Sequence, residues 1–178
     1  MNKTSVVPSP IDTTTTYMGL RLAHPFMAGA SPLSATLDGV RALEDAGAAA
    51  IVLPSLFEEQ ITEAKTGRIR GLDPIDEAAF AERLVDFPAA SEYAFDPDTY
   101  LLHLQRGKEA VGVPVIASLN GSRDGAWLHQ AEAIEKAGAD GLELNLYGVS
   151  SDLALAGVSV ERGLVAAVSN LKDSLHIP

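Results

Sequence analysis

The residues of this sequence suited to binding or turning over a small molecule fall at the ends of short apolar runs. Ser31 follows Phe26 to Ala30, Ser118 and Asn120 close VPVIASLN at 113–120, and Glu143 and Asn145 alternate with leucines in GLELNL at 141–146. Side chains alternate along an extended chain, so Leu142, Leu144 and Leu146 share one face while Glu143, Asn145 and Tyr147 share the other. Ile116, Ser118 and Asn120 form a similar face on their own run. Hydroxyl and amide groups placed this way can hydrogen-bond a polar ligand, although any one of them serves equally well as a cap for a strand end. Three runs delivering Ser31, Ser118, Asn120 and Asn145 to one edge make a candidate binding site. The small residues of Ala30-Ser31-Pro32 would let a flat ligand approach the backbone.

Other chemistry is poorly supported. The four histidines, His24, His103, His129 and His176, include no pair at the i,i+4 spacing of a zinc helix, so no metal site is expected. Ser31 has no neighbouring His–Asp logic for hydrolysis. Glu58-Glu59 and the cluster Lys65, Arg68 and Arg70 read first as solvated loop, and second as cation or anion contacts. No lysine stands at a strand end to form a Schiff base, which sets aside an aldolase-type barrel. Glu143 is the exception. A carboxylate inside a protein costs several kcal/mol unless a cation accompanies it, and no Lys or Arg of the apolar runs faces it. It should therefore either meet water on an open face or be held protonated.

These positions need a scaffold, and the sequence spells one. Residues 1–12 read as a disordered lead-in, and Thr13 to Leu22 as two short strands turning at Gly19. Phe26–Ala30, Ala49–Leu53, Val113–Leu119 and Gly141–Leu146 read as four apolar strands. Helical spacing marks Leu37, Val40 and Leu43, then roughly 97–111, then Trp127, Ala131 and Ile134, then Val160, Leu164, Val168 and Leu171. Ala-Gly pairs close two of these helices, and LEDAGAAAIVL at 43–53 matches IEKAGADGLEL at 134–144. Nearly continuous apolar strands alternating with amphipathic helices predict a parallel sheet with helices outside. Residues 58–95 form a charged insertion, a lid, an oligomer contact or plain decoration.

The chain has 178 residues, 47% of them hydrophobic, and carries a formal charge of −11. That acidity disfavours nucleic acid and anionic membranes as partners, because both require clustered Lys and Arg. The absence of cysteine removes disulfides, thiolate metal sites and Cys nucleophiles. No apolar run reaches the ~18 residues of a membrane span. A soluble, cytoplasmic protein is the expectation. The final Leu175-His176-Ile177-Pro178 copies Val111-Gly112-Val113-Pro114, which leads into a strand. A closed (β/α)8 barrel takes roughly 250 residues, so the expected architecture is an α/β, TIM-barrel type N-terminal half-barrel of four β/α units with a β-hairpin. An open sheet is the alternative, but no Gly-rich phosphate loop follows the first strand. A half-barrel has two open edges, so self-association into a homo-oligomer is expected.

HPFMAGASPLS, AGAAAIVLPSLFEEQI, VPVIASLNGS and AGADGLELNLYG, taken in that order, resemble the dihydroorotate dehydrogenase family, and more narrowly its dihydroorotate dehydrogenase-like branch. The resemblance runs from about Thr14 to the last residue and covers about the first half of the family barrel. It implies an FMN-dependent oxidoreductase of pyrimidine biosynthesis that oxidises dihydroorotate to orotate, with a small-molecule substrate. By this resemblance Ala30, Ser31, Ser55, Ser118 and Asn145 contact the flavin, and Asn145 also contacts substrate. Ser118 stands where several members have asparagine, and Pro54-Ser55 where dihydroorotate-oxidising members place a lysine and its neighbour. Gly148 occupies the position of the catalytic base and has no side chain to remove a proton. The catalytic residues are therefore unassigned, and the alternative is a catalytically inactive scaffold.

Overall fold

The computed structural model describes residues 11–58, 60–61, 95–121, 128–146 and 155–178. Residues 1–10 of the expected lead-in, most of the 58–95 insertion, Trp127 and the segment containing Tyr147 and Gly148 lie outside them. The described chain opens with an antiparallel hairpin, β1 (Thr15–Tyr17) and β2 (Leu20–Leu22), in which Thr15 pairs with Leu22 and Tyr17 with Leu20. Both turn residues have positive φ, Met18 at 52° and Gly19 at 78°, as a tight two-residue hairpin requires.

Helix α1 (Leu37–Asp45) starts where the Thr36 side chain accepts from the Gly39 N–H, and it ends as Ala46 leads into Gly47 at φ 91°. Strand β3 (Ile51–Phe57), helix α2 (Pro97–Ala110) and strand β4 (Val115–Gly121) follow. Asp96 caps α2, accepting from the main-chain N–H groups of Asp98 and Thr99, and Pro97 sits in the first turn, where its missing N–H is harmless. Helix α3 (Leu128–Lys136) closes through Gly138 at φ 95°, and β5 (Gly141–Leu146) and α4 (Gly157–Ser174) complete the described chain.

Strands β3, β4 and β5 form one parallel sheet in that order. Alternation sorts the two faces as the sequence predicts. Ile51, Leu53, Val115, Ala117, Leu119, Leu142, Leu144 and Leu146 pack with residues from α1, α2, α3 and α4, among them Val40, Leu104, Ile134 and Leu171. On the other face Val52 and Ile116 meet Leu22 of the hairpin, with Met18, Leu20 and Met27 against them. The hairpin therefore covers the end of this face where the strands begin.

The four expected strands are three and a fragment among the described residues. Phe26–Ala30 is held by one parallel bridge, Ala28 to Ile51, with hydrogen bonds from Ala28 N to Ala50 O and from Val52 N to Ala28 O. Beyond Ala28 the chain leaves the sheet for a 3-10 turn at Pro32–Ser34, and Phe26 is 76% exposed, so no ladder forms. The second strand runs to Phe57 rather than Leu53 because a register shift between Val52 and Ser55 absorbs Pro54. On α4, Ala167 and Leu171 are buried while Val168 is exposed, a rotation from the expected stripe.

The matched segments dock in the same way. Glu44 on α1 accepts from Gly112 N at 2.7 Å, and Glu135 on α3 accepts from His176 N at 2.6 Å and Ile177 N at 2.9 Å. Ile51 N donates to Pro114 O, and Leu142 N donates to Pro178 O, both at 2.9 Å. Pro178 thus lies against the outer edge of β5 as Pro114 lies against β3.

Candidate functional site

On the face away from the helices, lateral register sets Ser55, Ser118 and Glu143 in one row across β3, β4 and β5. In the next row Phe57 pairs with Asn120, and Asn120 with Asn145. Ser55 belongs to this row only because of the register shift. From Val52, uninterrupted alternation would turn Ser55 toward the helices and Leu56 away from them. The bulge reverses the phase, so Leu56 joins the helix-side core and Ser55 reaches Ser118.

Hydrogen bonds join the side chains of Ser55, Ser118, Glu143 and Asn145. Ser118 Oγ donates to Glu143 Oε1 at 2.7 Å and lies 2.7 Å from Ser55 Oγ. Asn145 Nδ2 donates to Glu143 Oε1 at 3.0 Å and to Ser118 Oγ at 3.2 Å. Ser118 is completely buried, whereas Glu143 and Asn145 remain partly exposed. Glu143 therefore lies partly exposed among polar partners. Among the described residues no Lys or Arg forms an ion pair with it. Beside the row, Asn120 Oδ1 is buried without a hydrogen-bond partner, a gap that buried polar atoms seldom show.

Tyr100 supports this row from behind. Its hydroxyl accepts from Ser118 N at 2.9 Å and donates to Ser118 O at 3.2 Å. Both main-chain groups lie beside the bulge, where ladder pairing with β3 is interrupted. Burial pushes the Tyr100 hydroxyl well above the ordinary tyrosine range; the Ser118 bond opposes that rise and the negative charge of Glu143 adds to it. Sequence reading missed this residue. Its signal was the helical spacing of Tyr100, Leu104 and Gly107, all buried on α2.

Of the expected contacts, the structure joins Ser55, Ser118 and Asn145 and leaves Ala30 and Ser31 apart. Ala30 is exposed, and the Ser31 carbonyl accepts from Ser34 N and Ser34 Oγ within its own turn. His103 is buried for structural reasons: Nε2 donates to Ser34 O at 2.8 Å and the ring stacks on Phe95 with centroids 4.8 Å apart. No group of three or more potential metal ligands occurs among the described residues. Glu59, Lys65, Arg68, Arg70, Tyr147, Gly148, Ser150 and Ser151 lie outside those residues.

The fold and site together define an α/β protein with helices on one face of a parallel sheet and a polar row on the other. Among the described residues no helix is long and apolar enough to cross a membrane. No family model matches the chain, and no curated protein matches it. Among solved structures it is similar to the crystal structure of an IMP dehydrogenase/GMP reductase-like protein from Corynebacterium glutamicum ATCC 13032 Kitasato. The two are 18% identical with a TM-score of 0.46, and the match covers 94% of this chain and 42% of that one. The chain therefore spans less than half the length of that protein.

Proposed function

We propose that this chain forms part of a flavin-dependent oxidoreductase similar to the dihydroorotate dehydrogenase family, with FMN as cofactor on a (β/α)8-type barrel. The observation that carries the reading is the polar row Ser55–Ser118–Glu143 with Asn145 beside it. It is built from the motifs that carry the sequence resemblance, on the sheet face opposite the helices. FMN supplies the hydride acceptor of such an oxidation. The described residues suit one part of it: Asn120 Oδ1 is an unpaired buried acceptor, and Asn145 Oδ1 has no hydrogen bond among the described residues while its amide nitrogen is engaged. Both match a ring edge that presents N–H. The row itself offers no cation for a phosphate. Ser118 and Asn145 hold Glu143 in place, and Tyr100 holds Ser118.

The test is titration of the purified chain with FMN, read by flavin fluorescence and visible absorbance. Saturable binding that weakens on Asn145→Ala supports the reading. A colourless protein that leaves added FMN unperturbed overturns it.

A second reading, a catalytically inactive scaffold that self-associates, is favoured by exposed apolar side chains on segments flanking the sheet. Phe26 and Leu33 are 76% and 68% exposed, and Val158 and Val165 on α4 are 54% and 66% exposed. Sedimentation showing a folded monomer at micromolar concentration removes this reading; a dimer retains it.

A further inference from the structure

The hydrogen-bond directions within the polar row determine what the row has left to offer. Glu143 Oε1 receives the Ser118 hydroxyl proton and one Asn145 amide proton. With its proton committed, Ser118 Oγ serves as acceptor for the second Asn145 amide proton, and at 2.7 Å it takes the Ser55 hydroxyl proton as well. Every donor of Ser55, Ser118 and Asn145 side chains is therefore spent inside the row. Among the described residues, what the side chains of Ser55, Ser118, Glu143 and Asn145 have left are acceptors: Glu143 Oε2, Asn145 Oδ1 and the lone pairs of Ser55, with the buried Asn120 Oδ1 unpaired beside them. Among the described residues, no cation offsets the Glu143 charge.

We infer that this row binds its ligand through positively charged N–H donors (an amidinium, guanidinium or protonated amine) seated on Glu143 Oε2, and that it rejects carboxylates. A carboxylate seated on Glu143 meets a like charge and finds no uncommitted donor on Ser55, Ser118 or Asn145. A cationic N–H group gains charge-assisted hydrogen bonds and supplies the missing countercharge. The inference rests on the row being a ligand site, as proposed above. It narrows the substrate class away from anionic pyrimidines such as dihydroorotate and toward nitrogen cations.

Benzamidine, benzamide and benzoate share one ring and differ in charge and donors, so they serve as probes. Each is titrated into the 15N-labelled chain and followed at the amides of Ser118, Glu143 and Asn145. Benzamidinium is expected to shift these signals saturably and to bind about tenfold or more tightly than benzamide, with benzoate inert. Glu143→Gln is expected to weaken benzamidinium by a similar factor. Should that variant fail to fold, the benzamidine–benzamide contrast in the unmodified chain gives the same answer. Benzoate binding as tightly as benzamidinium, no benzamidinium shift at these residues, or equal affinity in a folded Glu143→Gln chain overturns the inference. FMN titration is read separately. A chain that binds benzamidinium but not FMN loses only the flavin reading, and one that binds FMN but not benzamidinium loses only this one.

Discussion

Removing one oxygen atom, by Tyr100→Phe, should destabilise this protein far more than its size suggests. The ring stays in the same helix-side core, so little apolar burial is lost. The hydroxyl, however, is the partner of both Ser118 N–H and Ser118 C=O, at 2.9 and 3.2 Å, and Ser118 is completely buried. A buried main-chain group left without a partner costs about 1–3 kcal/mol, so two of them predict a loss of about 2–6 kcal/mol. Against a total stability of about 5–15 kcal/mol, that is a large share. Urea unfolding followed by circular dichroism reads it directly. At a slope of about 2 kcal/mol per molar, the midpoint should fall by roughly 1–3 M. The alkaline limb offers an independent reading. The folded state raises the Tyr100 hydroxyl above the ordinary tyrosine range, so its contribution is complete below about pH 10 and is lost as pH rises beyond that. Loss of stability above pH 10 should therefore be steeper in the unmodified chain than in Tyr100→Phe. A change in urea stability under about 0.5 kcal/mol would show that Tyr100 does not satisfy Ser118, and the argument for a rigid row would fail with it.

Three further outcomes follow from particular contacts. Gly39→Ala should destabilise, although Ala is favoured over Gly in a helix by about 1 kcal/mol. A Cβ at Gly39 would collide with the Leu33 carbonyl oxygen, and relief of such overpacking costs about 1–3 kcal/mol, visible as a lower urea midpoint. Asp96 is held below the ordinary carboxylate range by the Thr99 hydroxyl and then by main-chain N–H groups. Its contribution is present above about pH 4 and is lost as pH falls through the lowered value. Asp96→Asn still caps the helix, so acid unfolding should become shallower with little change at neutral pH. Asp140 accepts from Val115 N at 2.7 Å and pairs with Lys108 at 2.5 Å. Asp140→Asn should cost under about 1 kcal/mol, because the pair is partly exposed. Asp140→Ala, which also orphans the Val115 N–H, should cost about 1–3 kcal/mol in the same denaturation assay.

Much of this architecture was legible in the residues. Period-two alternation in GLELNL put the leucines on the helix side and Glu143 with Asn145 opposite, and the structure keeps that division. The matched LEDAG and IEKAG joins predicted equivalent units, and Glu44 and Glu135 perform the same docking on their respective approach segments. The first strand was overread. Five apolar residues predict a strand, but the chain turns away at Pro32, leaving one parallel bridge at Ala28 and a hydrogen bond from Ala49 N to Phe26 O.

The sequence by itself determined where α1 and α3 stop, at their Ala-Gly pairs, the face each β4 and β5 residue occupies, and the acidic, cysteine-free composition. These depend on φ/ψ preferences and on periodicity, which act over a few residues. Only the tertiary structure decided that Ser55 joins Ser118, because that depends on a bulge at Pro54 defined by pairing with a strand some sixty residues away. It alone showed that a tyrosine on α2 satisfies Ser118, and that Gly39 is required by the Leu33 carbonyl rather than tolerated. The common reason is distance along the chain. Local rules fix where a side chain points, while contacts between remote segments fix what it meets.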